Sequence, residues 1–299
     1  MKNINDIKDD EFRVIGQSSV KADVKPGGDS VHKKKFWWIV LLVVLHLTGF
    51  TLFYFLPDKN TQIEPEEGIF EPQTPVVQQP VEKKKFGRDV APDAKAFTEK
   101  IDTIVNDIPL EIYIPHNATA QLCLRTPDIN DTNIIFCAQA ADVRKDNKKI
   151  VVSFVLKGEP LAWGLSKKGY CAIIEDKITV GVADNSTLFE QATEVGGYFF
   201  RQYPLVDNGV LVENEPKNKS IRKALCDRAG EIFVVVSTTK ESFHDFTQAL
   251  IDLGVDNAIY IVGGEYAKGW YKNAAGEIID FSKSRRDRYR YENYIVWRK

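Results

Sequence analysis

Four cysteines and four histidines in 299 residues leave little from which to build a metal or redox centre. No pair among Cys123, Cys137, Cys171 and Cys226 has CxxC spacing, which argues against zinc ribbons and thioredoxin-like chemistry. His116 and His244 lack the spacing of a zinc site, so no metal is expected and no cofactor is defined. The chain also lacks a P-loop, a GxGxxG turn and a serine in a nucleophile-elbow context. Charge of one sign is not in surplus either. Forty basic and 42 acidic residues leave a net charge of −2, which gives no electrostatic case for a nucleic-acid partner.

What the sequence does hold is one long apolar run. Phe36 to Leu56 reads FWWIVLLVVLHLTGFTLFYFL, with no formal charge. As a helix it would span roughly 32 Å, about one bilayer core. Aromatic residues gather at both of its ends, and Lys33-Lys34-Lys35 precede it. No small-residue cleavage pattern follows. The expectation is a retained, single-pass transmembrane helix over 36–56 that embeds in the lipid bilayer. The positive-inside rule then puts residues 1–35 in the cytoplasm as a disordered polar tail, and the C-terminal bulk in the periplasm or outside the cell. His46 falls mid-span and reads as a tolerated neutral imidazole.

Residues 57–92 carry six prolines among Glu, Gln and Lys. They read as a stalk that could reach up to ~110 Å at ~3.1 Å per residue. A domain over 93–299 follows. Phe97, Ile101, Ile104 and Val105 predict a helix from about Asp93 to Asn106. Strand patterns follow in LEIYI (110–114), AQLCLR (120–125), NIIFCAQA (133–140), KIVVSFVL (149–156), GYCAII (169–174) and ITVGVA (178–183). Further runs are EVGGYFF (194–200), VLVEN (210–214), EIFVVVS (231–237) and the closing YENYIVWR. Thr187 with Glu190, and Thr238 with Glu241, have capping-box spacing and predict two helices. The second carries Phe243, Phe246, Leu250 and Leu253 on one stripe and ends at Gly254. Together with the strands on either side it predicts a parallel crossover unit. The fold class expected is α+β: a mixed, largely antiparallel sheet with flanking helices. The cysteines are read as structural, with disulfides permitted outside the cytoplasm and reduced burial equally consistent; Cys123 and Cys137 could face each other across a hairpin.

Candidate chemistry centres on two glycine pairs, Gly196-Gly197 and Gly263-Gly264, each at or near a strand. Glycine permits positive φ and close backbone approach to a ligand, and equally a bulge or a tight turn. Glu194, Glu265 and Asp280 are candidate carboxylates for glycoside chemistry, which needs two such groups at a set separation. RRDRYRY (285–291) reads as a solvated turn or an edge that meets acidic glycan or lipid. Sequons at Asn117, Asn130, Asn185 and Asn218 keep a secretory location open.

The order of these features, from about Asn185 to Tyr271, resembles the phosphodiester glycosidase family. That family's Asn-Gly-Gly-aromatic-Phe motif is matched by Val195-Gly196-Gly197-Tyr198-Phe199. Its Gly-rich hairpin is matched by Asn208 to Asn214, its pre-strand arginine by Arg222, and its Asp-Gly-Gly-Gly-Ser turn by Val262-Gly263-Gly264-Glu265-Tyr266. The resemblance implies sugar-1-phosphodiester hydrolysis. Gly196, Gly197, Tyr198, Arg222, Gly263 and Gly264 would line the substrate site, Arg222 would hold phosphate, and Glu265 or Glu194 would serve as a relocated acid. Valine stands at both polar motif positions. Such a group supplies about 3 kcal/mol or more of transition-state help, and valine can supply none of it. Two readings follow: a glycosidase-like protein acting on a sugar phosphodiester or envelope polysaccharide with lost or altered catalysis, or a non-catalytic glycan-binding or envelope scaffold module.

Overall fold

The structure, a computed structural model, describes residues 83–281 and 292–299. The expected cytoplasmic tail, the apolar run 36–56, most of the stalk and the RRDRYRY segment lie outside the described residues. In chain order the strands are β1 (Phe97–Val105), β2 (Ile108–His116), β3 (Thr119–Leu124), β4 (Ile134–Gln139), β5 (Phe154–Leu156), β6 (Glu159–Ala162), β7 (Gly169–Ile174) and β8 (Lys177–Val182). Helix α1 (Thr187–Glu194) comes next. It is followed by β9 (Tyr198–Gln202), β10 (Pro204–Asp207), β11 (Val210–Leu211), β12 (Ser220–Arg228) and β13 (Glu231–Glu241). Helix α2 (Phe243–Asp252), β14 (Asn257–Ile261), β15 (Gly269–Lys272), β16 (Ile278–Asp280) and β17 (Asn293–Arg298) complete the described chain.

The α+β class holds, but the strands form three sheets rather than one. A seven-stranded sheet has the order β1-β2-β13-β12-β14-β10-β11; two five-stranded sheets run β16-β15-β4-β17-β3 and β6-β5-β9-β7-β8. Each hydrogen-bonded pair among the described strands is antiparallel. The predicted crossover survives in a split form. β13 and β14 both run antiparallel to β12, hence parallel to each other, and β12 lies between them.

The helix expected over 93–106 is instead strand β1. Phe97, Ile101 and Val105 are four apart, and four is an even number, so this spacing suits a strand face as well as a helix face. Ile104, which the helical stripe would bury, is 71% exposed. The deciding signal is the turn after it. Asn106 and Asp107 both adopt positive φ, 51° and 61°, as the two-residue hairpin joining β1 to β2 requires. Helix α1 is capped by Ser186 rather than Thr187. Strand β13 runs on through Thr238 to Glu241, and Ser242 caps α2 with a bond from Asp245 N–H. Gly254 takes its expected left-handed conformation, φ +86°. The strands expected over 149–156 and 210–214 shorten to β5 and β11.

One apolar cluster joins the three sheets, with Tyr113, Leu225, Val234 and Ile259 from the first, Phe136 and Ile295 from the second, and Phe154 and Phe200 from the third. The opposite face of the seven-stranded sheet is covered by Phe243, Phe246 and Leu250 of α2. A buried side chain of this kind stabilises the fold by about 1.5–3 kcal/mol. All four cysteines are free thiols, and three are buried. Cys123 and Cys137 do not share a hairpin, because β17 lies between β3 and β4. Phe86 stacks edge-on against Phe233, and Glu231 accepts the N–H groups of Phe86 and Gly87, so the chain joins the domain before residue 93.

Candidate functional site

The two glycine pairs serve different local ends. After α1, the N–H of Gly197 returns to Ala192 O at 2.7 Å while Gly196 takes φ +75°, which is the Schellman termination of a helix. A Cβ on Gly197 would lie 2.7 Å from Ile173 O, so β9 leaves the helix at close quarters to β7. Val195 is the C-cap and is half exposed. Glu194, on the last turn, is exposed, and Tyr198 is half-buried in β9 opposite Ile173.

At the second pair, β14 turns back over β12. A Cβ on Gly263 would sit 2.4 Å from Ile221 O, and Gly264, at φ +93°, donates to that same carbonyl at 2.7 Å. The Gly263 N–H goes to the Tyr260 hydroxyl at 2.8 Å. Both glycine N–H groups are therefore used within the protein. Val262 is half-buried, and its N–H donates to Ala140 O.

Beside this turn lies a pocket of about 500 Å³. A bulge in β13 opens it. Ile221 pairs with Lys240 and Lys223 with Val236, so three residues of β13 stand against Arg222 alone. Ser237 stitches the bulge, its Oγ accepting Arg222 N–H at 2.8 Å and donating to Thr239 O at 2.8 Å. Glu111, Lys223, Thr238, Thr239, Lys240 and Glu265 supply the pocket's polar wall, with the ring of Phe281 beside them.

Alternation along β12 decides which cation reaches this pocket. The Arg222 guanidinium lies over the Phe243 ring at 3.9 Å and donates to Glu241 O at 2.9 Å and to Asn218 O. It faces the α2 side of the sheet. Lys223 goes to the other face and is among the residues that line the pocket; its Nζ reaches Ala267 O at 3.2 Å and lies 4.7 Å from the ring centre of Phe281, another lining residue. Burial lowers its pKa to about 8. Glu265 pairs with Lys240 at 3.0 Å. Glu111 accepts from Lys100 at 2.8 Å and from the Tyr113 hydroxyl at 2.7 Å.

The structure thus brings Glu265 and Gly264 of the sequence candidates to the pocket and places Arg222 on the far side of the sheet. Glu194 ends α1, Tyr198 opens β9 and Gly196 and Gly197 join them; none of the four lines the pocket. Asp280 lies on β16 opposite Trp270. Glu111 and Lys223 were not singled out by sequence. For Glu111 the signal was present, since it is the lone acid in an otherwise apolar strand; Lys223 sits among Arg222, Asp227 and Arg228 on β12 and carried no such mark. Among the described residues, no cluster of three or more His, Cys, Asp or Glu side chains is placed to hold a metal ion.

No protein-family model matches the chain, and no curated protein matches its sequence. Among solved structures it has a distant similarity to the zebrafish N-acetylglucosamine-1-phosphodiester alpha-N-acetylglucosaminidase catalytic domain, auto-inhibited by its pro-peptide. The TM-score is 0.49 at 11% identity, over 68% of this chain and 82% of that one. A hypothetical protein from Synechocystis is similar at a TM-score of 0.47 and 11% identity, over 68% of this chain and 62% of that one.

Proposed function

We propose that the domain is a glycan-binding module of phosphodiester-glycosidase-like build, tethered to a membrane and displayed outside the cytoplasm, in which hydrolysis through the two glycine motifs has been lost. The observation that carries this is the separation of the expected catalytic parts. Arg222 is committed to Glu241 O, Asn218 O and the Phe243 ring on one face of the sheet, while Glu265 lines the pocket on the other. Valines at 195 and 262 offer no proton and no hydrogen bond in their place.

The pocket suits a sugar. Sugar hydroxyls both donate and accept, and they meet carboxylates, threonine hydroxyls and an ammonium group on one wall with an aromatic ring beside them. The membrane tether rests on the apolar run 36–56, and the ligand class on the resemblance of the glycine motifs.

A second reading has an observation of its own. Glu111 and Glu265 line the same pocket, and glycoside hydrolysis generally employs two carboxylates flanking the scissile bond. One experiment separates the two. The full chain in detergent is titrated with a UDP-sugar and with acidic polysaccharide, and release of free sugar is followed in parallel. Saturable binding, weakened about tenfold by Glu265→Gln, without sugar release, is the expected result. Sugar release abolished by Glu111→Gln or Glu265→Gln would establish the second reading. Absence of saturable binding and of release would overturn both.

A further inference from the structure

We propose that Lys223, which with Gly264 lines the pocket, is a reactive amine whose Nζ condenses with the carbonyl of a small aldehyde or ketone ligand to form an imine. The strand's alternation puts it there. Lys223 shares its face of the seven-stranded sheet with Leu225, Ile259 and Ile261, all in the apolar core that joins the sheets. It is only 2% exposed, yet it lines a cavity of about 500 Å³, within the range of small-molecule sites.

The surroundings raise the share of neutral amine. An ammonium carries three N–H donors, and the protein offers one acceptor, Ala267 O at 3.2 Å. Among the described residues, no carboxylate lies within ion-pair distance of its Nζ. Asp280 of β16, Glu111 of β2 and the Cys137 thiol of β4 act from a distance toward the ammonium, and burial outweighs them; Glu111 is itself engaged with Lys100 and Tyr113, and Glu265 with Lys240. A neutral amine needs fewer acceptors and keeps a lone pair free for the cavity. Burial acts in the same direction, bringing the pKa to about 8. At pH 7 roughly one Lys223 in ten is then unprotonated, against roughly one in three thousand for an ordinary lysine.

The chemistry balances without an oxidant or a reductant. The Nζ lone pair adds to the carbonyl carbon, and a proton passes from nitrogen to the former carbonyl oxygen, giving a carbinolamine. The second N–H proton and the hydroxyl then leave as water as the C=N bond forms. Glu111 and Glu265 line the same pocket and are the groups in place to relay these protons. The inference stands on the amine itself. It holds whether the natural carbonyl is the open-chain end of a sugar or belongs to another compound.

The test uses the unmodified full chain. It is incubated at pH 7 with glycolaldehyde and cyanoborohydride, which traps an imine as a secondary amine, and the modified lysines are located by peptide mapping. Lys223 is expected to label at least about tenfold faster than exposed Lys157, at a rate that climbs with pH and levels off above about 8. A second arm compares glucose with its methyl glycoside, which has no aldehyde. Labelling by glucose alone identifies a sugar carbonyl as an acceptable partner; labelling by neither sugar restricts the site to smaller carbonyls. Labelling of Lys223 by glycolaldehyde no faster than of Lys157, or preferential labelling of Lys240, would overturn the proposal. Glycan binding measured on the unlabelled chain reports separately on the binding module, so either idea can fail without the other.

Discussion

The Ser237 hydroxyl accepts the backbone N–H of Arg222 at 2.8 Å, inside the sheet, where the bulge has removed its ladder partner. That bond holds the point at which β12 sends Arg222 to one face and Lys223 to the other. Ser237→Ala strands a buried N–H donor and should cost about 1–3 kcal/mol. Urea denaturation measures the loss. A change near zero would mean that another acceptor, such as a water, takes over the bond.

The glycine pairs should respond unequally to alanine. Gly263→Ala drives a Cβ to 2.4 Å from Ile221 O and 2.8 Å from the Tyr260 hydroxyl, so backbone must move. At Gly196 nothing lies within 4 Å, and the cost is that of φ +75° alone, about 1–2 kcal/mol. Thermal unfolding should therefore rank Gly263→Ala as the more damaging of the two. The reverse order would show that the second turn can open without loss.

Lys223 gives stability a particular pH dependence. Its folded pKa of about 8 is below that of the unfolded chain, so between about pH 8 and 10.5 the unfolded state binds more protons. Its contribution to stability therefore rises with pH across that window and is flat below it. Lys223→Met removes the buried charge. The wild-type chain should gain on this variant by up to about 3 kcal/mol from pH 8 to pH 10.5. Denaturation midpoints that keep a constant offset over this range would show that folding does not lower the pKa of this amine.

The β1–β2 hairpin can be tightened at Asp107. Its φ of 61° is left-handed backbone that glycine adopts without strain, and Asn-Gly is a preferred pair for this turn. Asp107→Gly is expected to stabilise by about 0.5 kcal/mol, read as a raised melting temperature. A fall would show that the aspartate side chain contributes more to the turn than its backbone strain costs.

Strands such as GYCAII and YENYIVWR were legible because each is a short apolar run, rich in β-branched or aromatic residues and too brief for a buried helix. The region 93–106 was not, since an i, i+4 stripe satisfies both periods and only Asn106-Asp107 breaks the tie. The capping-box spacing at Thr238 and Glu241 misled for a related reason: the pattern is short, and pairing of β13 with β12 continues through Glu241 until Ser242 takes the cap. At the site, Glu265 and the second glycine turn could be read from the motif order. Arg222 could not be told from Lys223, because adjacent charges on a strand point to opposite faces and sequence does not announce the bulge that sets the phase.

The position of β17 bears on how the domain assembles. β3 and β4 are near neighbours in the chain, yet neither pairs with the other; both bond to β17, which arrives after β15 and β16. Until it inserts, each presents an open row of amides and carbonyls to solvent, a template that another copy's strand could occupy. Pairing across so long a stretch of sequence is slow to find. Refolding at high concentration should thus divide between insertion of the chain's own β17 and capture of a foreign strand, and the yield of monomer depends on which reaches the gap first.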